Sequence, residues 1–236
     1  MPTSTSNALG YTVQIPRARF TAFLVLVVLV LLINHLMLQF FYHQWDAGHW
    51  VLRDMFDVDE EENFPTCYSS FALLFSAGLL YAIASQKRRE HDRFAPHWLG
   101  LSIIFLAMSI DEIAGMHEAL NTVTEFPWTI PAAVVAAVVA LIYLPFLIHL
   151  PKPTRIGFLL AGVLFAGGAI GVEHASDWYL EEQSMDSFGY SLLTLLEEGM
   201  EMFGVVLFIN ALLGYMQTGK AAEITLAVEE TEFSPP

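Results

Sequence analysis

The strongest constraint on the fold is a series of six long apolar stretches, separated by short polar segments. A helix needs about 20 mainly apolar residues to cross the hydrocarbon core of a bilayer. A hydrophobic fraction of 55% and a mean hydropathy of +0.52 agree with such a composition. The sequence therefore predicts an all-α, polytopic integral membrane protein, a bundle of six transmembrane helices at residues 20–42, 67–85, 97–116, 130–150, 156–176 and 190–215.

The flanking segments complete the predicted domain organisation. The first span is longer than the apolar core of a signal peptide and no small-x-small cleavage pattern follows it, so we expect it to stay in the membrane as an anchor. Residues 1–19 are predicted to be a cytoplasmic N-terminal segment and residues 20–216 the transmembrane domain. Residues 217–236 are acidic and are predicted to form a disordered cytoplasmic tail.

The distribution of Lys and Arg predicts the orientation. In a six-span arrangement nine of the ten cations fall on one side, and only Arg53 falls on the other. Cytoplasmic loops carry such an excess of Lys and Arg. Both termini are therefore expected in the cytoplasm, with the chain in a bacterial inner or plasma membrane. The nine cations are Arg17, Arg19, Lys87, Arg88, Arg89, Arg93, Lys152, Arg155 and Lys220.

The opposite side is acidic, because the first outer loop contains "DVDEEEN" at residues 57–63. We interpret this segment as a solvated loop that helps to maintain topology, with a cation-collecting vestibule as the alternative. The net charge of −15 also excludes nucleic acid as a partner, since binding to nucleic acid requires a basic surface.

Ionisable residues inside the third span are the first functional signal. In "MSIDEIAGMHEAL", residues 108–120, a span that ended before Asp111 would be too short to cross a bilayer. The acids are therefore expected inside the membrane. On one continuous helix, Asp111 and Glu118 would share a face, with Gly115 between them and Glu112 and His117 on either side.

Similar groups occur in the fifth and sixth spans. "GVEHASDWY" places Glu173, His174 and Asp177 within one helical turn, and "LLEEGMEMFG" spaces Glu197 and Glu198 four and three residues before Glu201. Because the spans alternate in direction, all three groups are expected at the outer side. Alternatively, the fifth-span group caps a helix at the interface, and Glu197 and Glu198 lie at a helix N-terminus.

So many acidic side chains inside a membrane need positive charge to neutralise them. Each acid at a helix centre costs about 2.5 to 3.5 kcal/mol, and no Lys or Arg lies in the outer halves of these spans. Protons, protonated His or metal cations could neutralise them. Carboxylate and imidazole together favour iron, manganese or zinc, and neighbouring methionines extend the choice to copper. The predicted metal ligands are Asp111, Glu112, His117, Glu118, Glu173, His174, Asp177, Glu197, Glu198 and Glu201.

Other polar and small residues are interpreted structurally. His35 in the first span is expected to bond to another helix rather than to bind a metal. The "AAVVAAVVA" stretch at residues 132–140, and Gly167 with Gly171 in "AGGAIG", are expected to allow close helix packing.

Two classes of function follow. The first is a redox enzyme in which a metal site, iron by preference and dinuclear in one version, acts on a lipid-soluble substrate. The second is a cation or proton transporter. A metal-dependent membrane hydrolase and a non-catalytic membrane subunit are further alternatives. The largely apolar inner halves of the spans favour a one-sided site, because a transporter would need polar groups along its whole path.

Overall fold

The structure is a computed structural model that describes residues 9–13, 16–45, 49–117, 119, 127–218 and 224–228. Its helices are α1 (Arg17–Trp45), α2 (Trp50–Phe56), α3 (Phe64–Arg89), α4 (Ala95–Ala114), α5 (Thr129–His149), α6 (Lys152–Ala166), α7 (Glu173–Leu180) and α8 (Phe188–Thr218). A π-helical segment, Gly167–Val172, joins α6 to α7. Two strands, β1 (Leu9–Val13) and β2 (Ile224–Val228), pair antiparallel with Leu9 opposite Val228. Part of the tail for which disorder is predicted is therefore a strand.

Five helical elements are long and apolar enough to cross a membrane. They are α1, α3, α4, α5 and the continuous Lys152–Leu180 element formed by α6, the π-helical segment and α7. This confirms five of the predicted membrane-length helices and indicates a membrane protein. The sixth predicted span corresponds to α8, which is not among the five. It packs in the centre, against α1, α3, α6, the π-helical segment and α7.

Helix ends follow local sequence signals. The Asn63 side chain caps α3 by accepting a hydrogen bond from the Thr66 backbone N–H at 3.2 Å, and Pro65 occupies the first turn, where its missing N–H is not needed. Three cations, Lys87, Arg88 and Arg89, occupy the last turn of α3. Positive charge there complements the negative end of the helix dipole.

The outer surface of the helices is apolar over much of its area. Phe23 is 59% exposed, Leu141 71% and Ile148 62%. Contiguous exposed apolar surface on this scale is a sign that something apolar covers it. An apolar exterior around a partly polar interior fits a protein surrounded by lipid.

One end of the bundle, which we call the basic end, contains the cationic helix termini around Arg17 and Lys87. Arg17 Nε donates to Asn210 Oδ1 at 2.8 Å, and Lys87 lies 6.0 Å from the Tyr215 ring centroid, so both contact the last turns of α8. Trp98 at this end is 1% exposed, and its ring centroid lies 4.9 Å from that of Phe146. The basic end is thus closed by aromatic packing.

The continuous helix predicted from Asp111 to Glu118 is wrong. α4 ends at Ala114, and Gly115 adopts a left-handed conformation with φ 55° while its N–H bonds to the Asp111 carbonyl. Glycine takes this conformation readily because it has no Cβ, and it commonly terminates helices. The helix that contains Asp111 is therefore interrupted at Gly115, and Glu118 lies outside the described residues.

The small residues pack differently from the prediction. A Cβ on Gly168 would lie 2.6 Å from the Glu197 carbonyl oxygen of α8, and one on Gly167 2.8 Å from Met200, whereas one on Gly171 would meet nothing within 4 Å. The π-helical segment changes which glycines face α8. The predicted close packing of the 132–140 stretch is also wrong, because only 6% of the most apolar stretch of α5 is buried.

A carboxylate-lined cavity as the candidate functional site

A cavity of about 740 Å³ lies among α3, α4, α5, α6 and α8. One half is strongly acidic, and His117 is the histidine among its described lining residues. Among the described residues that line the cavity there is no Lys or Arg. The acidic lining residues are Asp59, Glu60, Glu61, Asp111, Glu112, Glu173, Glu197, Glu198 and Glu201.

The centre of the acidic half is a cluster of three glutamates on α8. Glu197, Glu198 and Glu201 each offer a carboxylate oxygen, and these oxygens all lie within 4.8 Å of one another. Spacings of three and four residues bring the side chains together over one helical turn. Glu197 is only 9% exposed. The close approach of Gly168 to Glu201 Cγ, where a Cβ would lie 2.9 Å away, covers the cluster on the side of the π-helical segment.

Glu112 of α4 lies near this cluster. It accepts a hydrogen bond from the Ser69 side chain of α3 and interacts electrostatically with both Glu198 and Glu201. The acids of the third and sixth predicted spans are therefore neighbours across the cavity, although sequence spacing within either helix could not establish this.

Glu173, the first residue of α7, supplies a further carboxylate. Its Oε1 accepts a hydrogen bond from Trp128 Nε1 at 2.5 Å, and its side chain also hydrogen bonds to Glu197. Two carboxylates both lack donors, so such a contact requires a proton or a cation between them. The cavity is thus arranged to hold positive charge at this point.

His117 lies beside the acidic half and is oriented by Asp111. Its Nδ1 is 2.9 Å from Asp111 Oδ2, and its ring centroid is 4.9 Å from that of Trp128. Metal-binding histidines commonly use one ring nitrogen for a carboxylate and the other for the metal. Because Asp111 occupies Nδ1, Nε2 is the nitrogen that could bind a cation.

Three predicted ligands are not part of the described lining. His174 is exposed and its Nδ1 lies 3.3 Å from Thr129 Oγ1, between α7 and the start of α5. Asp177, one turn further along α7, has a buried Oδ2 with no hydrogen-bond partner among the described residues. Glu118 lies outside those residues. The remaining predicted ligands all line the cavity.

The 57–63 loop, interpreted from the sequence as solvated with a cation-collecting vestibule as the alternative, has features of both: Asp59, Glu60 and Glu62 are exposed, yet the loop also lines the cavity. Val58 is 6% exposed, Asp59 Oδ1 accepts a hydrogen bond from Tyr190 at 2.9 Å, and Glu61 lies against Gly115. Asp59, Glu60 and Glu61 all line the cavity. The one available signal was Val58, an apolar residue within an acidic run.

His35 anchors this loop to the bundle. Its Nε2 lies 3.3 Å from the Ser191 carbonyl oxygen of α8, which confirms the predicted bond to another helix. Its Nδ1 lies 3.2 Å from both the Val58 N–H and Asp57 Oδ1. Gln39 Nε2 donates to Asp57 Oδ2 at 2.7 Å. Two polar side chains of α1 therefore fix the start of the loop.

Comparison with known proteins gives a family without an assigned activity. The family model described as a domain of unknown function (DUF8692) matches residues 21–215. The chain belongs to this family. No curated protein and no solved structure matches the chain. All the lining residues of the cavity fall inside the DUF8692 match, so the cavity is part of the family domain.

The other half of the cavity in this DUF8692 domain is an apolar chamber. From Glu201 toward the basic end, α8 contributes Gly204, Val205 and Phe208. Of the methionines near the predicted site, Met108 lines the cavity, whereas Met202 is buried and Met116 is exposed. Other residues that line the apolar chamber include Leu101, Ile104, Phe105, Ala136, Val139, Ala140, Phe158, Gly162 and Phe165.

Proposed function

We propose that this protein is a multi-pass membrane metalloprotein whose cavity carboxylates bind one or two metal ions, and that it acts as a redox enzyme on a lipid-soluble substrate. The observation that supports this proposal most is the cluster of Glu197, Glu198 and Glu201, with Glu112 interacting electrostatically with Glu198 and Glu201, in a cavity without Lys or Arg among its described lining residues. Electrostatics and coordination chemistry support it separately.

The three α8 glutamates repel one another when they are ionised. At an effective dielectric constant of about 20, two carboxylates separated by 4.8 Å repel each other by about 3.5 kcal/mol. Three such pairs reach about 10 kcal/mol, which is comparable to the whole stability of a typical domain. The cluster therefore needs positive charge inside the cavity, either as protons or as a bound cation.

The set of ligand atoms around the cavity favours a metal ion over protons alone. Glu112, Glu198 and Glu201 offer carboxylate oxygens from two facing helices, and Glu173 and Glu197 lie next to them. His117 offers Nε2 while Asp111 holds its other nitrogen. Carboxylates with one or more imidazoles suit iron and manganese, and helix bundles build such centres from inward-facing Glu and His. Iron is our first choice, with manganese, zinc and copper as alternatives.

The proposed topology has six transmembrane helices, with α8 as the sixth. Its apolar second half packs in the centre of the bundle, and its length of 31 residues is sufficient to span a bilayer. The basic end would face the cytoplasm by the positive-inside rule. Both termini would then be cytoplasmic, and the acidic half of the cavity would lie toward the outer face.

The redox proposal rests on the combination of a metal-binding site with an apolar chamber. A bound iron would supply one-electron chemistry, while the protein would position the substrate and exclude bulk water from the apolar chamber. Ion transport is less well supported. Gly204, Val205 and Phe208 continue from Glu201 toward the basic end, and none can relay an ion or a proton.

Metal analysis tests the proposal directly. The full-length protein is purified without chelators, supplied with Fe²⁺, Mn²⁺ or Zn²⁺, desalted and analysed by elemental mass spectrometry. The wild type should retain at least one metal ion per chain, and the Glu198→Gln/Glu201→Gln variant should lose it. The exposed residue Glu181 does not line the cavity, so Glu181→Gln is the matched control and should retain the metal.

The outcomes separate the hypotheses. A wild type that holds no metal after all three additions would overturn the metal proposal and favour protonated carboxylates. Retained iron that shows no change in its optical or electron paramagnetic resonance spectrum on exposure to dioxygen would overturn the redox part only. A metal-dependent hydrolase would then be the better interpretation.

A further inference from the structure

We propose that the apolar chamber binds the hydrocarbon chain of a single-chain membrane lipid whose polar end is uncharged or cationic, and that this polar end lies against Glu198 and Glu201. The inference rests on the proposed function, because it names the substrate class of the same site. Its evidence, however, is the shape and polarity of the cavity rather than the metal-binding chemistry of the carboxylates.

The polarity of the cavity changes along its length in the way an amphiphile requires. Its acidic half contains the three α8 glutamates and Glu112, and its other half is lined by aliphatic and aromatic side chains. A volume of about 740 Å³ falls within the roughly 300 to 1,000 Å³ typical of small-molecule sites. A polar group placed in the apolar half would be buried without hydrogen-bond partners, which is costly, so this half favours a hydrocarbon chain over a compact polar ligand.

Small side chains create the space in the apolar chamber. Ala132, Ala136 and Ala140 recur every fourth residue, so they lie along one face of α5, and all three line the cavity. Opposite them on α6, a Cβ on Gly162 would meet nothing within 4 Å. The small residues of α5 and α6 thus leave an open volume instead of closing a helix interface.

The basic end closes the apolar chamber. Tyr143 of α5 lines it and donates its hydroxyl to the His97 carbonyl oxygen of α4 at 3.1 Å, and Phe146 packs on Trp98. In the described ranges, the hydrogen bonds and ring contacts between α4 and α5 lie at this end. A chain would therefore point toward Tyr143, with its polar end at the carboxylates.

The charge of the lining selects the polar end of the lipid. Nine acidic side chains and no Lys or Arg occur among the described lining residues. A phosphate or carboxylate headgroup would meet like charges in a low-dielectric site, which disfavours phospholipids and fatty acids. An alcohol or an amine can instead donate a hydrogen bond to the carboxylates, and a carbonyl oxygen can approach a bound metal ion.

Photolabelling with a competitor series tests the inference. The full-length protein in lipid nanodiscs is irradiated with a diazirine analogue of hexadecanol, and the labelled residues are mapped by mass spectrometry. Unlabelled hexadecanol, hexadecylamine and palmitate are the competitors. We expect the label to attach near Ala136 and Gly162, and we expect unlabelled hexadecanol and hexadecylamine to prevent this labelling. Palmitate should be at least tenfold less effective as a competitor.

Two matched glycine variants localise the binding. Gly162→Leu fills the apolar chamber without a predicted clash and should reduce the competed labelling about tenfold. Gly78 also has open space around it but does not line the cavity, so Gly78→Leu should leave the labelling unchanged. Ala136→Phe is a second filling variant, to be used if Gly162→Leu fails to fold.

Several results would overturn the inference. One is that a competitor prevents the same amount of labelling in Gly162→Leu and Gly78→Leu. Another is that the labels are confined to outward-facing residues such as Val138. The third is that palmitate competes as well as hexadecanol. The same measurement on chelator-treated protein distinguishes the two proposals. Competed labelling in protein that never binds a metal would support the lipid inference while the metal proposal failed.

Discussion

The two halves of α8 differ in what surrounds them. Toward the basic end, Val206, Ile209 and Leu212 are almost completely buried among apolar neighbours, with exposures of 1%, 0% and 0%. In the first half, Glu197 and Glu201 lie on the wall of a cavity instead. One half of the helix is arranged for stability, whereas the other carries charges that destabilise the bundle unless something binds there. Each half therefore predicts a different response to substitution.

The largest effect is expected where the aromatic packing closes the basic end. Trp98→Ala removes a side chain that is 1% exposed and contacts Phe146, Phe158 and Tyr215. The free energy of unfolding should fall by about 3 to 5 kcal/mol, because the substitution leaves a cavity that neighbours fill only in part. Thermal unfolding in detergent measures this. Leu141→Ala, at a position that is 71% exposed, is the control and should change the free energy of unfolding little. Equal losses of stability in the two variants would contradict the tight packing of Trp98.

The second effect concerns the charged half of α8 and should depend on metal. With free metal at 100 times its dissociation constant, the wild type should gain about 2.7 kcal/mol of stability. Glu198→Gln/Glu201→Gln should lose this gain and should be at least as stable as the wild type in chelator, because two repelling charges are removed. Thermal unfolding with and without metal measures both. An equal metal-induced gain in the variant would show that the ions bind elsewhere.

A smaller effect is expected at the anchor of the acidic loop. His35→Ala removes the contacts with Ser191, Val58 and Asp57, and it should lower the free energy of unfolding by about 1 to 3 kcal/mol by leaving buried polar groups without partners. Proteolysis of the 57–63 loop should accelerate in parallel. Asn34→Ala removes only a bond to Val30 in the same helix and is the control. Unchanged proteolysis of His35→Ala would contradict the anchoring role.

The smallest effect lies at the solvent-exposed end of α3. The hydrogen bond from Lys87 to Glu90, at 2.8 Å, together with one from Gln86, lowers the pKa of Glu90 below its ordinary value. A lowered pKa stabilises the folded state above the unfolded-state value of about 4.3, and this stabilisation is lost as the pH falls through the folded pKa. Glu90→Gln should cost less than about 0.5 kcal/mol at neutral pH, because exposed pairs are weak. The difference from the wild type should disappear in acid; a difference that persisted there would exclude the carboxylate as its cause.

Sequence alone predicted the features that depend on composition over long windows. Five predicted spans correspond to helices of membrane length, because about 20 apolar residues in succession have few alternative structures. The length argument also placed Glu112 inside a helix, and its neighbours across the cavity proved to be Glu198 and Glu201. That these groups bind a metal stays a prediction.

The missed features depend on single residues or on contacts between distant segments. The left-handed Gly115 ends α4 before Glu118, and a helical wheel cannot anticipate this because it assumes an unbroken helix. The contacts that hold the 57–63 loop against the bundle join Val58 to His35 and Asp59 to Tyr190, and both partners are far away in the sequence. Composition indicated only that the 57–63 loop is acidic, and an acidic loop is normally expected in solvent.

The π-helical segment Gly167–Val172 has a consequence for how this fold can change over time. A wide turn of this kind accommodates one extra residue, and each residue rotates the following helix by about 100° around its axis. Loss of a single residue here would rotate Glu173 away from Glu197, while leaving α6 and its contacts with α8 in place. A length change in this segment is thus a way for descendants of such a protein to discard a cavity carboxylate without rebuilding the bundle.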